Sequence, residues 1–241
     1  RDGLGGAERE AVLLTHIHLD HAGGVGALVR RFPDLPVYVH ERGARHLADP
    51  SRLLASAGRL YGEAMDDLWG DVVPVPEANI EILADGGTVR GLEVAYTPGH
   101  ASHHVAYFDP EAGDAYLGDI GGVRISPGYV VPPTPPPDID LEAWNRSLDV
   151  VEGWEPRRLC LAHFGAVDEP AEHIQTVRRE LERLADRARS GDGEAFLAAL
   201  GEEIDARADA GDRHRYRVAV PPVHVWLGLE RYWAKRGVLD E

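Results

Sequence analysis

The chain has 241 residues, 44% of them apolar, with 25 basic residues against 41 acidic ones and a formal net charge of −16. That length supports one substantial core, or a core with a small appendage, and the acidic excess argues against a polyanionic partner, because phosphate backbones are gripped by clustered Lys and Arg. No apolar run approaches the ~20 residues needed to span a bilayer, and the single cysteine, Cys160, excludes an intrachain disulfide framework and makes a reducing cytoplasm the expected location.

The first predicted element is a buried strand over Ala11 to Leu14, which delivers the stretch Thr15 to Gly24, reading THIHLDHAGG. Within six residues it places His16, His18, Asp20 and His21. Packing alone has no use for so many crowded hydrogen-bonding groups. Histidines two apart in a non-helical loop converge on one cation while Asp20 and His21 turn toward a neighbouring point, so the segment holds ligands for two metals. Imidazole with carboxylate favours zinc, with iron, manganese or nickel as alternatives.

A helix with Val25, Leu28 and Val29 inward follows and closes at Arg30-Arg31; Val37 to Val39 is the next strand. His40 and His46 read as surface or packing residues. Asp49-Pro50 predicts a helix start, N-cap then proline, with Leu53, Ala57, Leu60, Ala64 and Leu68 on one face and an end near Trp69-Gly70. Tyr61, Met65 and Trp69 are either pocket-lining or core. From Ile80 the text turns to strands, with Asp85-Gly86-Gly87 as a turn between β runs. Leu92 to Thr97 alternates and presents TPGH, Thr97 to His100; His104 opens the next strand, and Ala115 to Leu117 presents Gly118-Asp119.

A proline-dense passage to Pro137 reads as a stiff extended loop, with Arg124, Ser126 and Tyr129 as candidate substrate contacts beside His104. A helix capped by Asp138 or Asp140 buries Leu141, Trp144, Leu148 and Val151, and the strand Arg158 to Leu161 ends in AHFG, Ala162 to Gly165. Beyond Pro170 the periodicity is helical: Ile174, Val177, Leu181, Leu184 and Ala188, then Phe196 to Ile204, then Val225 to Trp233 after Pro221-Pro222. The one basic cluster, Arg213 to Arg217, is interrupted by His214 and Tyr216.

HIHLDH, followed by TPGH, GD and AHFG, resembles the HxHxDH signature of the metallo-β-lactamase fold hydrolases, which include glyoxalase II, the acyl-homoserine lactonases and the RNase Z nucleases. The resemblance covers about Ala11 to Gly165. It implies an α/β fold, the αββα sandwich of that superfamily, with ligands on loops along one edge of the packed sheets. Members carry several strands ahead of this motif, so the N-terminal strands are expected to be missing from this sequence. Residues 1–169 are expected to form the catalytic domain, N-terminally incomplete, and 170–241 a helical extension packed on it or on the second subunit of a homodimer.

Carried over residue by residue, the resemblance gives His16, His18 and His100 to one metal, Asp20, His21 and His163 to the other, and Asp119 to both, since a carboxylate spans two cations with its two oxygens. Asp20 is also the catalytic candidate, orienting the nucleophile or moving its proton. His104 is placed to donate a hydrogen bond to substrate or to a ligand. The expected activity is hydrolysis of a small ester, lactone or thioester by hydroxide activated at a dinuclear centre of divalent ions. The alternatives are a mononuclear iron dioxygenase of the persulfide dioxygenase type and an RNase Z-like phosphodiesterase, the latter disfavoured by charge. The expected partner is a small-molecule substrate, with neither nucleic acid nor membrane.

Overall fold

The structure, a computed structural model, describes residues 10–125 and 128–239; Ser126, one of the candidate substrate contacts, lies outside the described residues. The chain divides into two compact units, one up to Ala84 and one from Asp85 onward.

The first unit is built on a three-stranded parallel sheet, β1 (Val12–Leu13), β2 (Val37–Val39) and β3 (Ile80–Ile82), in the order β1-β2-β3 with Val12 opposite Val37 and Val37 opposite Ile80. Parallel neighbours require crossovers. These are α1 (Leu19–Ala22) and α2 (Val25–Arg31) between the first two strands, then α3 (Glu41–Ala48), α4 (Ser51–Tyr61) and α5 (Met65–Trp69) before the third. The β-branched Val37 and Val39 are fully buried and meet Leu14, Ile17, Val25, Val29 and Leu47 in one core, as strands covered on both faces should.

The second crossover departs from the predicted single helix. His40 is not a bystander: its Nδ1 accepts the Arg42 N–H at 3.2 Å and caps α3, which the sequence reading did not anticipate. Pro50 takes the cap position and Ser51 the first helical one, its N–H donating to Asp49 Oδ1 at 3.1 Å. The helix then stops at Gly62, whose φ of +53° no β-carbon-bearing residue adopts readily, and resumes as α5. That break swings Leu68 off the expected apolar face, leaving it 50% exposed.

The second unit carries a six-stranded sheet in sequence order: β4 (Thr88–Val89), β5 (Leu92–Tyr96), β6 (Val105–Asp109), β7 (Asp114–Gly118), β8 (Arg158–Leu161) and β9 (Gly165–Val167). Asp85-Gly86-Gly87 therefore joins two different sheets rather than closing a hairpin. All pairings are antiparallel except β7 with β8, whose crossover is α6 (Leu141–Gly153), started by Asp140 accepting the Ala143 N–H at 2.8 Å.

Four further helices follow: α7 (Pro170–Ala188), α8 (Gly193–Arg207), α9 (Arg213–Ala219) and α10 (Pro222–Ala234). Their apolar faces, including Ile174, Val177, Leu181, Phe196, Leu200 and Leu229, share a single core with Leu117 and Leu159 of the sheet and Trp144 of α6. The helical extension thus packs as part of the second unit. The basic run Arg213 to Arg217 is the unanticipated α9, and the Tyr216 that interrupts it is its buried residue. Among the described residues no helix is long and apolar enough to cross a membrane.

Candidate metal centre

The seven predicted ligands fall into two sets, one in each unit. In the first, the end of β1 hands the chain to His16, fully buried, whose Nδ1 lies 3.1 Å from Thr15 Oγ1. His16 and His18 meet edge to face with ring centroids 4.7 Å apart, and each offers a ligand nitrogen within 4.8 Å of the other. The segment is not a simple loop, as the sequence reading had it. The His18 carbonyl accepts the N–H groups of both His21 and Ala22 at 3.0 and 2.9 Å, closing the single turn of α1. That turn puts Asp20 and His21 side by side, with Asp20 Oδ2 3.3 Å from His21 Nε2. His21 also lies beside His16, with ring centroids 4.1 Å apart.

In the second unit the ligands come from three separate turns. His100 ends the TPGH turn after β5, where Gly99 has φ +138° and a β-carbon would lie 2.3 Å from the Trp144 Cα, so only glycine lets the turn press against α6. The Ser147 hydroxyl donates to the Pro98 carbonyl at 2.6 Å, and the Trp144 indole N–H to the Ile120 carbonyl at 3.0 Å. One helix thereby braces both the turn bearing His100 and the short 3₁₀ turn Asp119–Gly121.

Asp119, 4% exposed, is the centre of this set. Its Oδ2 lies 3.3 Å from His100 Nε2 and its Oδ1 3.3 Å from His163 Nε2, so each carboxylate oxygen faces a different imidazole. The other nitrogen of His100 is spoken for: Nδ1 lies 2.9 Å from the Pro133 carbonyl, an acceptor only, so Nδ1 carries a proton and Nε2 is the nitrogen left for a metal. That tautomer is the one a metal-binding histidine takes when a carbonyl orients it. Lone pairs of imidazole and carboxylate facing each other in a buried setting suit a borderline divalent cation, with which both donor types bind readily.

His104, the candidate for a hydrogen bond to substrate or ligand, is fully buried and uses its nitrogens on the protein: Nε2 accepts the Asp119 N–H at 3.2 Å, and Nδ1 therefore donates to Thr97 Oγ1 at 2.9 Å. It holds a ligand, but as acceptor rather than donor. Arg124 gives its backbone N–H to the His163 carbonyl at 2.8 Å and its Nε–H to the Gly128 carbonyl at 3.1 Å. Tyr129 stacks on Tyr216 at 4.8 Å with the Arg207 guanidinium over its other environs at 4.3 Å, and burial pushes its phenol well up. Its place is against the helical extension. In the first unit Tyr61 and Trp69 pack edge to face at 5.3 Å, while Met65 lines a cleft with Arg30, Leu54, Asp66 and Val73.

Two contributors escaped the sequence reading. The Pro133 carbonyl that orients His100 belongs to the main chain and leaves no trace in residue type. His173 of α7, 3% exposed and lowered in pKa chiefly by burial, donates Nε2–H to the Gly121 carbonyl at 2.8 Å; its only signal was a histidine on an apolar helix face.

Comparisons with known proteins identify the family. A family model described as the metallo-beta-lactamase superfamily matches residues 1–163. The hydroxyacylglutathione hydrolase of Synechococcus sp. (strain JA-3-3Ab) is 34% identical over 114 residues, covering 47% of this chain and 35% of that protein. The atrochrysone carboxyl ACP thioesterase of Aspergillus fumigatus is 30% identical over 225 residues, 84% of this chain and 58% of the relative. Among solved structures, ST1585 from Sulfolobus tokodaii, an archaeal metallo-beta-lactamase superfamily protein, superposes with a TM-score of 0.64 at 20% identity over 90% of this chain and 79% of that one, a likeness of fold. The chain spans 35% and 58% of the length of these two curated relatives.

Proposed function

Because the chain belongs to the metallo-β-lactamase superfamily, we propose that it is a metal-dependent hydrolase with a dinuclear centre. His16, His18 and His100 hold one cation, Asp20, His21 and His163 the other, and Asp119 both. Zinc is the first choice for the pair, with iron, manganese or nickel as alternatives. When bound, two such cations would bring the pKa of a water down toward neutrality and polarise a substrate oxygen as Lewis acids.

The chain's own residues supply the rest. The Pro133 carbonyl fixes the His100 ring, and the neutral His104 fixes the backbone of Asp119. Asp20, with its side chain 39% exposed and His21 at 3.3 Å, is the carboxylate placed to accept and pass on a proton from the attacking water. The substrate is a small ester, lactone or thioester. The names of the two relatives, a hydroxyacylglutathione hydrolase and an ACP thioesterase, support acyl chemistry, thioesters foremost. The net charge of −16 speaks against a phosphodiester polymer. One cysteine supports a cytoplasmic location, and residues 1–169 are the catalytic part with 170–241 as its helical extension.

The observation that carries this reading is Asp119 with an imidazole nitrogen 3.3 Å from each of its oxygens. The test is metal analysis of the purified chain together with a hydrolysis screen of lactones, thioesters, aryl esters and phosphodiesters. Two divalent ions per chain and turnover of an acyl substrate are expected. One iron per chain with oxygen uptake and no hydrolysis would replace the proposal with a dioxygenase.

A further inference from the structure

One stretch of the second unit touches all three of its ligands. It begins with Asp119 itself; Arg124 gives its N–H to the carbonyl of His163 at 2.8 Å; and Pro133, at its far end, accepts from His100 Nδ1 at 2.9 Å. The two arms of the stretch are tied together, Val123 and Val131 exchanging both N–H···O bonds at 2.9 Å. A displacement of either arm is therefore felt at the other.

Beside the bonds from His100, His104 and Trp144 already described, four side-chain hydrogen bonds tie this stretch to the helical extension. His173 of α7 donates to the Gly121 carbonyl at 2.8 Å, two residues from Asp119. Tyr216 of α9, 1% exposed, uses its hydroxyl twice: it accepts the Ile125 N–H at 3.1 Å, next to Arg124, and donates to the Tyr129 carbonyl at 2.7 Å. Thr134, next to Pro133, donates to the Val225 carbonyl of α10 at 3.1 Å, and its own carbonyl lies where a β-carbon on Gly228 would be 1.8 Å away, so α10 approaches the stretch at a distance only glycine permits. The anchors at Gly121, Ile125 and Thr134 each fall within two residues of a ligand or of a group that holds one.

We propose that the helical extension sets the positions of His100, Asp119 and His163, and that His173 and Tyr216 are the positioning residues through which it acts. Packing alone did not require hydrogen-bonding groups at these points, since a leucine and a phenylalanine would fill the same buried space. What the imidazole and phenol add is directed bonds to main-chain atoms of the ligand-bearing stretch. This rests on the metal-centre reading above.

The test uses the full chain with zinc and cobalt(II) as probes. His173→Leu and Tyr216→Phe keep the apolar fill and delete the bonds; His173→Gln returns an N–H donor at the position of Nε2. Zinc affinity is expected to fall about 10- to 100-fold in the first two, the usual cost of losing a group that orients a ligand, with a changed cobalt ligand-field spectrum, and to recover in His173→Gln. Wild-type affinity and spectrum in both deletion variants, with only the unfolding temperature of the metal-free protein lowered, would overturn the inference and leave the metal centre standing. A wild-type chain that takes up no metal would overturn both.

Discussion

The two units reach metal-ligand density by opposite routes. In the first, four candidate ligands occupy six consecutive residues, His16 to His21, and one helical turn closed on the His18 carbonyl sets Asp20 beside His21. In the second, His100, Asp119 and His163 lie far apart in sequence and meet because α6 braces the turns of the first two and the Arg124 N–H holds the carbonyl of the third. Local ligands need little from the tertiary structure. Distant ones need their precision built by packing, so the second set is the more exposed to damage from afar.

The sharpest way to break that contrast is to compare carboxylates. Asp119→Asn removes a group facing two imidazoles and is expected to reduce metal content and bring hydrolysis to background. Asp20→Asn, at a carboxylate that is more exposed and lies beside His21, should retain more metal while still slowing turnover. Equal metal loss in the two variants, by elemental analysis, would erase the distinction. Next comes Trp144→Ala. The indole is fully buried, meets the His100 ring edge to face at 5.7 Å and donates to the Ile120 carbonyl, so a loss of about 3–5 kcal/mol is expected from denaturant unfolding, together with weaker metal binding. Full metal affinity in the folded variant would show that α6 stabilises without positioning.

A subtler effect sharpens the picture of how the second unit is tied to its extension. Arg183 bridges α7 and α8 by hydrogen bonds to Glu180 at 2.6 Å and Glu203 at 2.7 Å, Arg207 adds a bond to Glu180, and Arg187 pairs with Glu203. Burial alone would raise both carboxyls, but these hydrogen bonds outweigh it and hold them below the ordinary range. A carboxylate depressed in the folded state contributes stability that is present above its unfolded value, about 4.3, and is lost as pH falls through the folded one. The extension is thus expected to loosen below about pH 4, and the near-ultraviolet signal of its Trp226 and Trp233 should report it. The variant Glu203→Gln should flatten that acid dependence; an unchanged profile would remove the ion network from the account. Smallest is Asp140→Ala, which deletes the cap of α6 and should cost about 1 kcal/mol, read as a small fall in the thermal midpoint.

How legible each region was in the sequence follows from the same contrast. The first ligand set could be read directly because its residues are neighbours, and the strands ahead of His100, Asp119 and His163 could be read because alternating β-branched and apolar residues mark strands wherever they pack. The helices of the extension were visible in Ile174, Val177, Leu181 and Leu184. What escaped depended on single hydrogen bonds or on burial by distant partners. His40 became a helix cap, Gly62 broke a pattern that otherwise ran on to Trp69, and an arginine-rich run turned helical because Tyr216 could be buried. His104 bonds the backbone of Asp119, but the direction of that bond was set by the Asp119 N–H, which every non-proline residue carries.

The Pro133 carbonyl has a practical corollary. An acceptor supplied by the peptide unit survives any exchange of the residue that bears it, so a side-chain scan would score position 133 as silent even while its oxygen steers an imidazole. The tilt of that ring is encoded in the path of the main chain, and only a change of path, by insertion, deletion or a shifted anchor elsewhere, can alter it.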